Sequence, residues 1–557
     1  MKRAKTVLAF ILSLVIVFCE FSVYKSVDAE AAEKVIEMTE ADLHVIPDKY
    51  NTGCSGKLTK VNIGDTVNGI TFTQSGSGEK TQMILDFANA NKDFSGTVIL
   101  SDLDFSTYEF VAFHEEKVES DRGIHVIFKN CKFSIFRNKE DCPDNISYEF
   151  INCSFTRFMG SQAVLNWCNL GHSYSDAIVL FRNVTVNDSY ISDLASYDKA
   201  GAGVHSDGIQ LYGRDGIDIY NINLNRCRFE IPAIKTGDNT ASVNACLMLQ
   251  PEYANGIGIH FSDCIINGGG YSIYAGCKQR SKPIAMYDVT FSNIKVGYAK
   301  LFGSVYPTID SNVKMIQVTD QDALYVSSVW KDKAGIHVTV TNDTGEERVL
   351  KVATETGVYK YTIPACRGSK DLRYDTSGLK FSDFPFDIDI VLPKQSNYVI
   401  CYEYVGKKNN QIRFVSFDGE QVVFDEKQLK SVVIASGTCG KKATWQVTDD
   451  GILKIKGSGA TYNYSDTDPA PWNGYAKSIK TIQIEEGIKT LGDQAFVKLS
   501  KAKKVEIPST VKTIGDSVFA KKGLKKCIYA GTKSEWKEIV TGTGNNALKK
   551  SKKKFSK

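Results

Sequence analysis

Phe128-Lys129-Asn130-Cys131-Lys132-Phe133 is answered by Phe150-Ile151-Asn152-Cys153-Ser154-Phe155 and by Phe181-Arg182-Asn183-Val184-Thr185-Val186. The motif returns as Asn225-Arg226-Cys227-Arg228-Phe229, as Ser262-Asp263-Cys264-Ile265-Ile266 and as Tyr287-Asp288-Val289-Thr290-Phe291. Successive copies lie 22 to 43 residues apart, so the strand is constant while the loops vary. Such a unit cannot bury its apolar face alone and must stack on its neighbours. Stacking places Cys131, Cys153, Cys227 and Cys264 in one internal column. It brings Asn or Asp repeatedly to a corner, where these residues tolerate left-handed backbone and hydrogen-bond along the stack. The expected fold is mainly β: a right-handed parallel β-helix over residues 32–317. A β-sandwich would need turn signals at shorter, steadier spacing.

A second strand column follows from the same logic. Leu165-Asn-Trp167, Ile209-Gln-Leu211, Leu247-Met-Leu249, Ile273-Tyr-Ala275 and Leu301-Phe-Gly303 each turn two apolar or small residues inward. Asn166, Gln210, Met248, Tyr274 and Phe302 then face outward. Five strands spaced about 4.8 Å apart make a wall of roughly 19 Å, long enough for a few sugar units.

Outward from this region, the N-terminus reads MKRAK, an apolar stretch to Tyr24, then Ala29-Glu30-Ala31. This is the form of a secretory signal peptide, residues 1–31. No later segment is apolar enough to cross a bilayer. A secreted or wall-associated bacterial protein is therefore expected. The 29 Phe, 26 Tyr and 44 Gly against 12 Pro favour strands and turns. Of 14 Cys, Cys19 leaves with the signal, and the odd remainder argues against a complete disulfide framework. Cys366 and Cys401 are the best pair for a bridge.

Between 318 and 430 short strands such as Val338-Thr-Val340 and Tyr398-Val-Ile-Cys401-Tyr402 suggest a small immunoglobulin-like or fibronectin-like β-sandwich. Beyond it, Ile482, Ile484, Ile488, Leu491, Gly492 and Phe496 recur 23 residues later as Val505, Ile507, Val511, Ile514, Gly515 and Phe519. That step lies in the leucine-rich-repeat range. IEEGIKTLGDQAF and IPSTVKTIGDSVFA are similar to the BspA-like leucine-rich repeats of bacterial surface proteins. The flanking SGTCGKKATWQVTDDGILKIKGSGA and YAGTKSEWKEI resemble the modules that open and close such repeats. The resemblance covers 433–545 and implies an extracellular interaction module. A Lys-rich tail, 546–557, follows. From 433 to 557 there are 24 Lys, no Arg and 11 acids, a net of +13, so with +4 overall the first 432 residues carry −9. An exported, Lys-only basic region suggests an anionic cell-wall or host surface as partner; the bland alternative is a solubilising face. No nucleic-acid motif is present.

Gly203-Val204-His205-Ser206-Asp207-Gly208-Ile209-Gln210-Leu211-Tyr212 resembles segments of pectate-lyase-like and other carbohydrate-active β-helix proteins. On the functional reading His205 is a general base oriented by Asp207. Asn166, Gln210, Tyr212 and Gln250 hold sugar hydroxyls, Tyr274 and Phe302 stack on sugar rings, and Lys278, Arg280 and Lys282 pair with uronate carboxylates. On the structural reading Asp207 caps backbone amides of a neighbouring coil and His205 satisfies a buried carbonyl. Polysaccharide, acidic or plant-type, is the expected ligand, with lyase or glycoside hydrolase as the enzyme alternative. Hydrolysis wants two carboxyl groups about 5–10 Å apart, and the next coil's Glu252 aligns more than 20 Å away, at about 3.3 Å per residue. The other histidines (His44, His114, His125, His172, His260, His337) lack metal-ligand spacing, and no phosphate loop opens a helix. No cofactor or metal is expected. A non-enzymatic adhesin is the competing function.

Overall fold

The computed structural model describes residues 34–36, 45–74, 82–84, 95–111, 123–138, 140–173, 175–194, 206–211, 213, 216–232, 243–251, 253–276, 285–321, 323–366, 387–392, 396–419, 422–519 and 522–556. The expected signal peptide lies outside them. The chain divides into two compact units: residues 41–348 with 362–394, and residues 1–40, 349–361 and 395–557.

The first unit is built on a parallel β-helix. Nine parallel strands, from Gly96–Ser101 to Val313–Met315, form one face, and seventeen further strands join into a sheet round the other two. Inward positions are filled like with like. Phe105, Phe133 and Phe155 stack at 5.0 and 4.9 Å between ring centres, Phe128 on Phe150 at 5.1 Å, and Phe136 on Phe158 at 5.4 Å. Registered parallel rungs make such columns unavoidable, and offset rings in contact add to their burial.

The thiol column is present and longer than expected. Cys131, Cys153, Cys168, Cys227 and Cys264 are all buried. Each lies within sulfur hydrogen-bond reach of carbonyls of its own and the preceding coil, as in Cys131 to Lys129 O (3.3 Å) and Leu100 O (3.5 Å). Ser189 takes the place of a thiol between Cys168 and Cys227, giving its hydroxyl to Asn187 O at 2.8 Å. Cys366 and Cys401 are both free and buried, so the bridge expected between them is absent.

The corners explain the recurring Asn and Asp. Asp102, Asn130, Asn152, Trp167, Asp188, Arg226, Asp263 and Asn293 all take φ between 48° and 58°. The backbone N–H groups of all but Asn293 bond to the coil above, Asn130 to Ile151 O and Asp188 to Asn225 O among them. Side chains tie the same corner: Asn130 to Asp102 at 2.7 Å, and Arg226 to both carboxylate oxygens of Asp188 at 2.7 Å. The copies at 181 and 287 belong to another corner, where Asn183 and Asp288 are the left-handed residues. A third ladder runs through Asn166, Asn187, Asn225 and Ser262, with bonds of 2.9, 2.9 and 2.8 Å.

The second column needs correcting at both ends. Ile209, Leu247 and Ile273 are in register, but Ile209 is preceded by Ile178, and Ile273 is followed by Val305. Leu165 pairs instead with Phe150 and Val186 on the nine-stranded face. It cannot join the column, because Trp167 two residues later turns the left-handed corner. Leu301 precedes its strand, giving its N–H to Gly269 O at 3.0 Å.

Strands of the 318–430 region fall in both units. Leu324–Lys331, Ile336–Asn342 and Asp387–Leu392 form an antiparallel sheet in the β-helix unit. The second unit holds a four-stranded sheet that includes Tyr398–Val405 and Lys408–Ser416. It also holds a seven-stranded sheet ending in Thr481–Ile484, Lys504–Ile507, Lys526–Tyr529 and Lys552–Phe555. The 23-residue repeat is its core: Ile482, Ile484, Ile488, Leu491 and Phe496 and their counterparts are each at most 4% exposed. Asp493 and Asp516 carry the turn from repeat to repeat, Asp493 accepting the Asp516 N–H at 2.7 Å and Asp516 the Thr543 N–H at 2.6 Å. The Lys-rich segment continues this stack with a short helix, Asn546–Lys550, and the strand Lys552–Phe555.

Candidate functional site

The strand alternation turns Gln210, Met248 and Tyr274 outward on three registered rungs. Tyr306 follows, its N–H bonded to Ile273 O at 2.9 Å. Its ring stacks on Tyr274 with centroids 4.0 Å apart. Tyr271 stands edge-on to Tyr306 at 5.1 Å and lies 5.6 Å from Phe302, which is 46% exposed. Partial burial, and then the neighbouring Tyr306 hydroxyl, push the Tyr274 phenol up to about 12, so it stays a neutral hydrogen-bonding group. Gln210 is half-buried at the other end of the strip, Met248 is buried between it and Tyr274, and Gln250, half-buried, directly follows Met248's strand. The arrangement offers ring faces and edges beside amide groups, the equipment for stacking and hydroxyl recognition rather than for bond cleavage.

Other expected site residues lie elsewhere. Asn166 belongs to the asparagine ladder on the nine-stranded face and not to this strip, because Leu165-Asn166 is a strand of that face. Asp207 is fully buried. It accepts the Ala245 N–H of the next coil at 2.9 Å, and its own N–H donates to Asp176 at 3.1 Å. Burial and the Asp176 carboxylate hold its acid well above the usual range. Gly208 beside it is required by close approach: a Cβ there would lie 2.4 Å from Cys246 O. Asp207-Gly208 is thus an internal tie between coils. His205, Tyr212, Glu252, Lys278, Arg280 and Lys282 lie outside the described residues. Among the described residues no group of three His, Cys, Asp or Glu is placed to hold a metal ion.

A second polar cluster went unread in the sequence. Arg228 and Glu230 face outward from the β-helix yet are fully buried, because the sheet of Leu324–Lys331, Ile336–Asn342 and Asp387–Leu392 covers them. The Arg228 guanidinium donates to Glu230 (2.9 Å), Asp387 (2.7 Å), Thr341 (2.9 Å) and Pro47 O (3.2 Å), and lies over the rings of Tyr190 and Tyr325. Asn267 links Glu230 to Asp343, both at 2.9 Å. Burial pushes Asp343 up to about 6 and holds Glu230 well above the usual carboxylate range. Burial also acts on Asp387, but Arg228 outweighs it and holds that carboxyl low. With no solvent access this cluster is a clamp, not a reaction centre. Its one sequence signal was the Arg-x-Glu spacing, which reads equally well as a solvated face.

Comparison with known proteins adds one family. Residues 474–542 match the BspA type leucine rich repeat region, in six copies. A leucine-rich repeat protein from Eubacterium ventriosum ATCC 27560, known from its crystal structure, is 22% identical over 22% of this chain and 44% of its own, with a TM-score of 0.16. The chain therefore spans less than half the length of that protein. No curated protein matches. No helix among the described residues is long and apolar enough to cross a membrane.

Proposed function

We propose that this is an exported bacterial surface protein that binds polysaccharide without cleaving it. The β-helix strip of Gln210, Tyr274, Tyr306, Tyr271 and Phe302 contacts the glycan, and the leucine-rich repeats hold an anionic wall or host surface. The observation that carries the first part is the Tyr274–Tyr306 stack beside the half-exposed Phe302, on rungs set by the β-helix register. Binding is favoured over turnover because the one described member of the His205/Asp207 pair is consumed in an internal hydrogen bond. Lys278 and Arg280, a few residues after Tyr274 in the sequence, favour an acidic glycan.

A polysaccharide array with the full chain tests this, run beside assays for reducing ends and unsaturated products. The expected result is binding to one glycan class, weakened at least tenfold by Phe302→Ala, without product. Aromatic stacking on this scale is worth about 0.5–1.5 kcal/mol beyond burial. Products that disappear in His205→Ala would replace the binding reading with an enzyme. Binding untouched by Phe302→Ala and Tyr306→Ala would remove the strip.

A further inference from the structure

In the second unit the strand register sorts the outward side chains of the seven-stranded sheet into columns. Thr481, Lys504, Lys526 and Lys552 share one rung position on four successive parallel strands. Lys454, Gln483, Glu506, Ile528 and Lys554 share the next outward position. At the strand entrances Lys480, Lys503 and Lys525 stack as well, Lys503 N–H bonding Lys480 O at 2.8 Å and Lys525 N–H bonding Lys503 O at 2.9 Å. The alternate residues (Ile482, Val505, Cys527) are buried, so Lys504, Lys526 and Lys552 are committed to the other side.

Parallel strands about 4.8 Å apart put a lysine on three successive rungs of the first column and at three successive strand entrances, while the second column carries lysine only at its two ends. Like charges directly opposite one another destabilise a sheet, yet acids hardly relieve this face. Glu506 neutralises Lys504 at 2.5 Å. Lys480, Lys503, Lys525, Lys526, Lys552 and Lys554 are exposed, and none of them pairs with a carboxylate among the described residues. A row of unneutralised cations at fixed pitch is complementary to a polymer that carries anions at regular intervals.

We infer that this face binds a linear, phosphodiester-linked wall glycopolymer lying along the stack of repeats. The inference rests on reading the repeat module as the attachment surface. Lysine without any arginine favours phosphate, met as a point charge, over carboxylates that match a bidentate fork. The two columns present no aromatic ring on which a base could stack, which disfavours nucleic acid.

The test uses the full chain with lipid-free poly(glycerol phosphate), titrated over a range of salt. The ladder variant Lys503→Gln/Lys526→Gln/Lys552→Gln is compared with Lys441→Gln/Lys489→Gln/Lys533→Gln, which removes the same charge from scattered exposed positions. The ladder variant is expected to lose at least tenfold in affinity, with a log–log salt slope shallower by about 2, at roughly 0.7 per contact. The scattered variant should lose less than threefold. Equal losses in the two variants would overturn the ladder while leaving the module an attachment surface. Failure of the unaltered chain to bind would remove both readings. Single-stranded DNA or polygalacturonate of matched charge binding as tightly would overturn the assignment to a phosphodiester glycopolymer. All six positions are exposed, so melting temperatures should be unchanged and will show whether either variant is misfolded.

Discussion

Replacing Arg228 by alanine would remove a guanidinium that makes four hydrogen bonds and covers two rings inside the β-helix unit. Three buried carboxyl groups would remain around the gap: Glu230, Asp343 and Asp387. Breaking a buried ion pair from one side costs about 3–5 kcal/mol. The lower half of that range is expected here, because Glu230 and Asp343 already have raised pKa values and can stay protonated. Asp387 is the group left exposed to the loss, since Arg228 is what holds it low. Hydrogen exchange in peptides spanning Ile336–Asn342 and Asp387–Leu392 is the direct assay, because these strands lie over the cluster. At 1.4 kcal/mol per tenfold, their protection should fall by roughly two to three orders of magnitude. The deficit should grow with pH. Without Arg228 the folded pKa of Asp387 rises above its unfolded value, so its contribution is present at low pH and lost as pH climbs through the raised value. Arg228→Met with Asp387→Leu should recover most of the protection, since apolar replacement of a buried pair is often neutral. Protection within threefold of the parent in Arg228→Ala, at pH 5 and pH 8 alike, would refute the clamp.

Asp207→Asn should leave the melting temperature near that of the parent at pH 3 and raise it at pH 8. The raised acid contributes stability below its unfolded pKa and loses it as pH rises, whereas the amide does not titrate. Differential scanning fluorimetry across that range checks this, and a fall at pH 8 would contradict it. Asn187→Ala interrupts the asparagine ladder and strands the Asn166 oxygen and the Asn225 amide. Denaturant unfolding should show a loss of about 1–3 kcal/mol, the usual cost of orphaned, partly buried polar groups. Gly208→Ala forces a methyl against Cys246 O and should cost about 1–3 kcal/mol by the same measurement. A neutral result there would mean that the coil spacing is looser than described.

The β-helix was legible because its rungs repeat both an inward residue and a corner residue. Cysteine two residues before phenylalanine or isoleucine, with Asn or Asp ahead of it, marked four of the five thiol rungs. Cys168 escaped because its corner residue is Trp167, which no turn preference would nominate. Ile178 escaped because Ile178, Val179 and Leu180 are all buried and show no alternation. The reading therefore borrowed Leu165 from another face. The end of the same column slipped because Leu301-Phe-Gly303 imitates a rung while the true partner of Ile273 is Val305, four residues further on. The leucine-rich repeat was read correctly through its fixed 23-residue step, where no loop varies. Tyr274 was placed by period-two logic alone. Tyr306 was not, since its position depends on the corrected register. Arg228 and Glu230 were invisible for a different reason: alternate charges on a strand signal solvent unless something far away in sequence covers them, and the strands Leu324–Lys331, Ile336–Asn342 and Asp387–Leu392 do so.

The five stacked thiols give the β-helix its own gauge of fraying. Each sulfur is sealed by the carbonyls of its own coil and the one before, so it meets a reagent only when those two turns part. Pulse alkylation followed by peptide mapping would time the separation at five known heights along the solenoid. A molecule that unzips from one end would then be told apart from one that comes undone all at once.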